Sequence, residues 1–471
     1  MARRAFSAAA AMLVLSSAIV SGGEPEGWGY AVVVHERTYA QPEWRAVADA
    51  LKAKHAASII VYEEAVEGTL GDLRRLFPRY ACFVGRPEEV TREFVGRVQR
   101  LMRGLDDDPY TDAIWGIVTG YDAADALRIA RHKEPLAVRR ALSATVGAQV
   151  DGYDEGRMYN ELAAGTVVEK AAGGETLAKP CPVDTTARLA EALNTYAPDV
   201  FITSGHATER DWQIGYSYRN GSFRCENGQW YGLDTEGRRF DIRSANPKVF
   251  MGIGNCLIAH IPDRQCLALA MMHSGGVYQF VGYTIPTGYG YGGWGVKDYF
   301  SELQAGRFTL AEANYVNNQA LVYELEKRGL NTDSDPRRGL RGDRDVVVLY
   351  GDPAWEARMP KRRLPWTQEL QEEDGVYTFT VTANERGDWD NRPLVHLLPH
   401  RIENVRVIEG GAMKPVITDN FILAAVRDKL LPMKANRGEE IPIRGDFEKG
   451  QKLTVVFRAD RIAASGPGAG N

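Results

Sequence analysis

Asp199-Val-Phe-Ile-Thr-Ser-Gly-His206 and Val249-Phe-Met-Gly-Ile-Gly-Asn-Cys256 share one pattern: a short apolar run, a glycine-containing turn, then a reactive side chain. Short apolar runs bounded by turn residues read as buried strands. Two such strands with a long connection between them are expected to lie side by side and parallel in an α/β sheet. Open α/β sheets place their sites beyond the carboxyl ends of the strands. A histidine and a cysteine delivered to that edge can act together, the imidazole taking the thiol proton. The plainer reading is a buried cysteine and a loop histidine that never meet.

Outward from this pair, the same strand–helix alternation continues. Toward the N-terminus, Tyr30–Val34, Ser58–Tyr62, Ala81–Val84 and Ala113–Val118 read as strands, with a helix from Pro42 and an apolar spacing of three and four over Glu88–Met102. Toward the C-terminus follow a helix from Asp263 through His273, a strand at Val277–Val281, a helix near Leu310–Lys327 and a strand at Asp345–Tyr350. Asn220-Gly221 and Asn227-Gly228 are hairpin-turn dipeptides. Beyond Pro360 the alternation becomes two-residue, in Tyr377–Thr382, Val405–Ile408 and Leu453–Phe457, and predicts a small β-sandwich.

The expected organisation is a signal peptide over 1–22, an N-terminal α/β subdomain over 23–150, a Gly/Glu/Lys-rich linker over 151–180 and a second α/β subdomain over 181–360. A β-sandwich over 361–462 and a small-residue tail over 463–471 complete it. Arg3 and Arg4, the apolar Ala8–Val20 and the small residues that follow have the layout of a secretory signal, so export to the periplasm, cell surface or medium is expected. No other stretch is long and apolar enough to span a membrane. The 471 residues carry 57 Lys+Arg against 62 Asp+Glu, a net charge of −5, which lacks the basic patch that nucleic acid requires. The chain reads as a monomer acting on a protein or peptide substrate.

Metal and cofactor motifs are weak. Gly288, Gly290 and Gly293 satisfy a dinucleotide-type spacing, better read as a tight loop. Cys256, His260, Cys266 and His273 are too irregularly spaced for structural zinc. Asp106, Asp107, Asp108 and Asp112 offer the clustered oxygens of a structural calcium site, with a solvated acidic loop as the plainer reading. His396 and His400 read as packing or surface groups, and Asn220-Gly-Ser222 as a glycosylation acceptor. No cofactor is required by the chemistry of the His206/Cys256 pair. Five cysteines is an odd count; a catalytic Cys256 would account for the unpaired one, and the other four read mostly as free structural thiols.

Apolar block–His followed by apolar block–Cys resembles the caspase-like cysteine peptidases, and the details resemble their gingipain-type branch. These details are a helix at Cys266-Leu-Ala-Leu-Ala-Met-Met, a strand over Gly276–Tyr283, Thr284-Ile285 and Trp294 in the next loop, and Gly351-Asp352-Pro353 after a strand. The resemblance implies largely parallel sheets flanked by helices and an Ig-like β-sandwich behind them. It implies Cys256 as nucleophile, His206 as general base and acid, and the backbone N–H groups of Ala207 and Cys256 as oxyanion donors. It further implies Asp112 as the carboxylate orienting the histidine, and Asp125 and Trp294 in the substrate pocket. Three positions depart from it: Ala207 where glycine is usual, Asn255 where a small residue is commoner, and Gly116-Ile117 where Gly-Arg is expected. These departures keep a second reading open, a catalytically inactive relative whose loop around Tyr289, Tyr291 and Trp294 binds a partner.

Overall fold

The computed structural model describes residues 29–287, 291–302, 304–327, 340–386, 392–410, 415–424 and 448–462. The signal-like segment 1–22, the tail 463–471 and the loop positions Gly288, Tyr289 and Gly290 lie outside the described residues. Apolar strand sequences pair into one sheet of twelve strands. Their order is Ser58–Tyr62, Tyr30–His35, Tyr80–Val84, Ile114–Val118, Val347–Tyr350, Val277–Tyr283, Lys248–Gly252, Val200–Thr203, Arg140–Ala144, Glu155–Tyr159, Thr166–Lys170 and Thr176–Pro180.

Ten of these strands form two parallel halves running in opposite directions, and the last two, Thr166–Lys170 and Thr176–Pro180, add on antiparallel. The first five strands in that order are parallel to one another, as are the next five. They meet where Val277–Tyr283 pairs antiparallel with Val347–Tyr350, Phe280 facing Tyr350. The carboxyl ends of the second half therefore share an edge with the amino ends of the first.

Helices pack on this sheet in the expected places. Pro42 opens the helix Pro42–His55, where its missing N–H costs nothing, and Trp44, Val47 and Leu51 are buried from it. Leu310–Lys327 is opened by a reciprocal cap: Thr309 N donates to Glu312 Oε2 and Glu312 N to Thr309 Oγ1. Asn227 and Gly228, both at positive φ, make the two-residue turn between Ser222–Glu226 and Gln229–Leu233. The helix expected from Asp263 begins later, at Leu267, because Asp263 accepts from Gln265 N in a preceding turn. The expected linker over 151–180 instead holds three strands. Its charged, glycine-rich composition reflects an exposed sheet edge, where Thr176–Pro180 is solvent-facing throughout and Lys179 pairs with Glu169.

After Pro360 the chain forms two antiparallel sheets. One runs Trp366–Glu373, Val376–Ala383, Lys452–Arg461, Ile402–Glu409; the other Leu394–Leu397, Phe421–Ala424, Val416–Ile417. Alternate residues of both, among them Trp366, Phe379, Leu394, Ile422 and Phe457, share one core.

The Gly351-Asp352-Pro353 turn fastens the first half of the sheet. Gly351 has φ 114° and leaves no room for a side chain, since a Cβ there would sit 2.3 Å from Tyr278 O. Asp352 is buried and accepts from Lys54 Nζ at 2.8 Å, His55 Nε2 at 2.7 Å and Tyr30 Oη at 2.8 Å. Burial alone would raise its pKa, but His55 and Lys54 outweigh it and hold the carboxylate well below its usual range. Its contribution to stability is therefore complete above the ordinary carboxylate pKa and is lost only in stronger acid. Asp352→Asn strands the buried Lys54 ammonium and is expected to cost about 3–5 kcal/mol in denaturant unfolding at pH 7. A loss below ~1 kcal/mol would show that the network is not what fastens this corner.

Candidate active site

The strands that carry His206 and Cys256 are adjacent, parallel and in register: Val200 faces Val249, Phe201 faces Phe250, Ile202 faces Met251 and Thr203 faces Gly252. Beyond the last pair the two turns stay joined. Ile253 N donates to Thr203 O, the buried Asn255 accepts from Thr203 Oγ1 at 2.7 Å, and Asn255 Nδ2 donates to Gly205 O at 3.3 Å. Asn255 thus spans from the residue before Cys256 to the residue before His206. This gives the departure from the expected small residue a structural role. Trp212 holds the other side of the histidine turn, its Nε1 donating to Ser204 O at 3.0 Å.

His206 is exposed and its ring stacks on Tyr216, centroids 5.0 Å apart. Cys256 is half-buried, its Sγ 3.6 Å from Thr287 O. No hydrogen bond joins the two reactive groups among the described residues; they are neighbours by turn and strand, with the imidazole turned onto Tyr216. Catalytic hydrogen bonds are commonly loose before substrate binds. Gly205 takes the positive φ that the histidine turn needs, at 95°, and Ala207 has no positive φ, so alanine there carries no backbone strain. Leu257, immediately after the cysteine, does sit at φ 57°, a conformation that costs a non-glycine residue about 1–3 kcal/mol and gathers at functional turns. Neither Ala207 N nor Cys256 N is engaged by a protein acceptor among the described residues, while the flanking Thr208 N donates to Asp211 O and Leu257 N to Ile285 O. Two free N–H groups at one strand edge are the donors an oxyanion requires.

Trp294 stands beside this edge. A side chain on Gly147 would overlap its ring, and a Cβ on Gly254 would lie 3.6 Å from its Nε1. The described part of the glycine-rich motif is packing: a Cβ on Gly293 would lie 2.5 Å from Ile253 O.

Sequence reasoning missed Glu161. It follows the strand Glu155–Tyr159, which ends on the same edge, and it is buried. Its carboxylate accepts from Thr145 Oγ1 at 2.6 Å and Val146 N at 2.6 Å, with Ser204 Oγ at 3.4 Å. All three are neutral donors, and no cationic side chain pairs with it among the described residues. Glu161 O also accepts from Tyr216 N, tying this residue to the ring under His206. Nothing in a single carboxylate inside a supposed linker could have marked it.

The two acidic residues carried over from the resemblance lie elsewhere. Asp112 shares the edge with Cys256, but four strand positions separate Ile114–Val118 from Val200–Thr203, roughly 19 Å at the usual spacing. Its carboxylate is buried and accepts from Leu105 N, not from His206. Burial, then the neighbouring Asp106 and Asp108, push its pKa up to about 9. Asp125 is on the opposite edge, in the helix after Ile114–Val118, paired with Arg128 at 3.0 Å and His273 at 2.7 Å.

Asp106, Asp108 and Asp112 bring ligand atoms within 4.8 Å of one another, as do Asp122, Asp125 and His273; Asp107 belongs to neither group. The spacing of the first set suits a hard cation, though Asp112 already spends an oxygen on Leu105 N–H. Cys256, His260, Cys266 and His273 form no such cluster among the described residues. All five cysteines are free. Burial pushes the thiols of Cys82, Cys181, Cys225 and Cys266 upward, the last two to about 11 and about 12 respectively, which disfavours the reactive thiolate. Burial lowers His396 to about 4, and His400 is engaged by Tyr377 at 2.8 Å. Asn220 has both amide ends engaged with Thr185, so the acceptor-like tripeptide sits in a structural role.

No protein-family model matches the chain, and no curated protein matches it in sequence. Among its acids, Asp112 has a direct solution signature. Its raised pKa means that the folded state holds a proton the unfolded chain releases, so stability falls as pH rises from about 4 to about 9. Asp112→Asn is expected to flatten that part of the pH–stability profile in chemical unfolding. Equal slopes for wild type and variant would show that Asp112 is ionised in the fold.

Proposed function

We propose that this chain is an exported cysteine-type endopeptidase working through a Cys256/His206 dyad on a caspase-like sheet, with an Ig-like β domain behind it. The observation that carries the proposal is the pairing of two in-register parallel strands whose turns, bridged by Asn255, deliver one thiol and one imidazole to the same edge. The residues assign the steps as follows. His206 leaves Tyr216, takes the thiol proton, and Cys256 Sγ attacks the peptide carbonyl carbon. The carbonyl oxygen becomes an oxyanion accepting from Ala207 N–H and Cys256 N–H. His206 returns the proton to the departing amine, leaving a thioester on Cys256. Water, deprotonated by His206, then attacks the thioester; the acid leaves and the thiol is restored.

The place in the substrate pocket that the resemblance gave to Asp125 passes to Glu161. A buried carboxylate served only by neutral donors gains most from a cation, and Trp294, packed against Gly147 two residues on from Thr145, offers an apolar wall to the stem of a lysine or arginine. Cleavage after basic residues is therefore the proposed preference. The reading of an inactive relative draws on one observation, the stacking of His206 on Tyr216 in place of a bond to Cys256.

Fluorogenic peptides with Arg, Lys, Leu or Asp before the cut bond decide between them. Wild type is expected to cleave the Arg and Lys peptides, and Cys256→Ala or His206→Ala to lower kcat/KM by about 10³-fold or more. Glu161→Gln is expected to lower kcat/KM for the basic peptides by roughly 100-fold relative to the Leu peptide. Cleavage that survives Cys256→Ala, or no cleavage of any peptide by the folded wild type, contradicts the proposal.

A further inference from the structure

A cavity of about 1050 Å³ opens between the first half of the sheet and the chain that leaves it for the antiparallel sheets. Neither the turns that carry His206 and Cys256 nor Glu161 and Trp294 line it. Its walls are the Tyr30, His55 and Tyr80 rings, the connector Pro135–Ala137, the turn Ala305–Arg307 and the departing segment around 354–364. At this volume it exceeds the usual range for small-molecule sites.

Its charge is one-sided. Arg79, Arg307, Arg358, Lys361 and Arg362 line it against two carboxylates, Glu312 and Glu356. Both carboxylates are already engaged. Glu312 accepts from the Thr309 cap and pairs with Arg358 at 3.2 Å and Arg79 at 3.7 Å, and Glu356 pairs with Arg358 at 3.2 Å. Arg362 spends its guanidinium on the carbonyls of Gly152, Ser301 and Glu302.

Among the described residues, Arg307 and Lys361 are left without a carboxylate partner. The Nε of Arg307 is buried with no hydrogen-bond acceptor among the described residues, and burial lowers this arginine to about 10. The two residues are held close by design of the backbone. Gly306, at φ 77°, lies against the Pro360–Lys361 backbone so tightly that a Cβ would sit 2.6 Å from Pro360 O. A buried guanidinium nitrogen without an acceptor is costly, and an oxyanion is the group that would satisfy it.

We propose that this cavity binds an anionic ligand, carboxylate or phosphate in chemistry, with Arg307 and Lys361 as its charge partners and the tyrosine and proline walls against its apolar part. The site is separate from the peptidase reading and stands or falls without it.

The test is isothermal titration calorimetry on the full chain at low salt, using citrate in one arm and inorganic pyrophosphate in the other, with potassium chloride matched for ionic strength. Saturable binding of at least one probe is expected, and which arm binds assigns the class. Arg307→Gln is expected to weaken it at least about 10-fold and Lys361→Gln several-fold. If Arg307→Gln fails to fold, the exposed Lys361→Gln decides. No saturable binding of either probe, or binding unchanged in the folded charge-removing variants, overturns the proposal.

Discussion

The parallel, in-register pairing of Val200–Thr203 with Lys248–Gly252 is the constraint on which the candidate site depends. Strand ends are fixed by backbone hydrogen bonds and by the burial of Phe201, Ile202, Phe250 and Met251, all almost fully inaccessible. Once Thr203 faces Gly252, the residues three and four positions further on emerge on one edge with little freedom. Asn255 removes much of what remains, since its amide bonds both to the end of one strand and to the turn that carries His206. A site built this way needs few special residues in the loops, because the sheet has already done the positioning.

The same sheet explains why the carboxylates fall where they do. Five neighbouring parallel strands end on the Cys256 edge: those finishing at Ala144, Tyr159, Thr203, Gly252 and Tyr283. The chain departs to one side of Arg140–Ala144 for Glu155–Tyr159 and to the other for Val200–Thr203, so the order reverses beside Arg140–Ala144. Crevices open where strand order reverses. Thr145, Glu161 and Ser204 meet there, next to the reactive pair. Asp125 follows a strand of the other half, whose direction is opposite, and is carried to the far edge.

Strand–helix alternation, the two reactive turns and the β texture after Pro360 were all legible in the sequence, because each is written in local periodicity. The direction of one half relative to the other was not, since Val277–Tyr283 and Val347–Tyr350 are apolar strands whose text is the same whether they pair parallel or antiparallel. The strands over 155–180 were hidden by their exposure: an edge strand such as Thr176–Pro180 carries the polar composition of a loop. Asn255 was visible only as an oddity, and its two hydrogen bonds span residues about 50 positions apart in sequence, a pairing that only the register supplies. Glu161 was invisible because a carboxylate acquires meaning from its burial and from the donors that serve it, both properties of the folded chain.

The central claim is that Cys256 is a nucleophile activated by His206. The most direct measurement is covalent labelling of the folded chain with an arginyl acyloxymethyl ketone, followed by mass spectrometry of the modified peptide. One adduct on Cys256 in wild type, and its loss in His206→Ala with the other four thiols untouched in both, is the result the account predicts. An adduct on any other cysteine instead, or labelling of Cys256 at the same rate without His206, would contradict it.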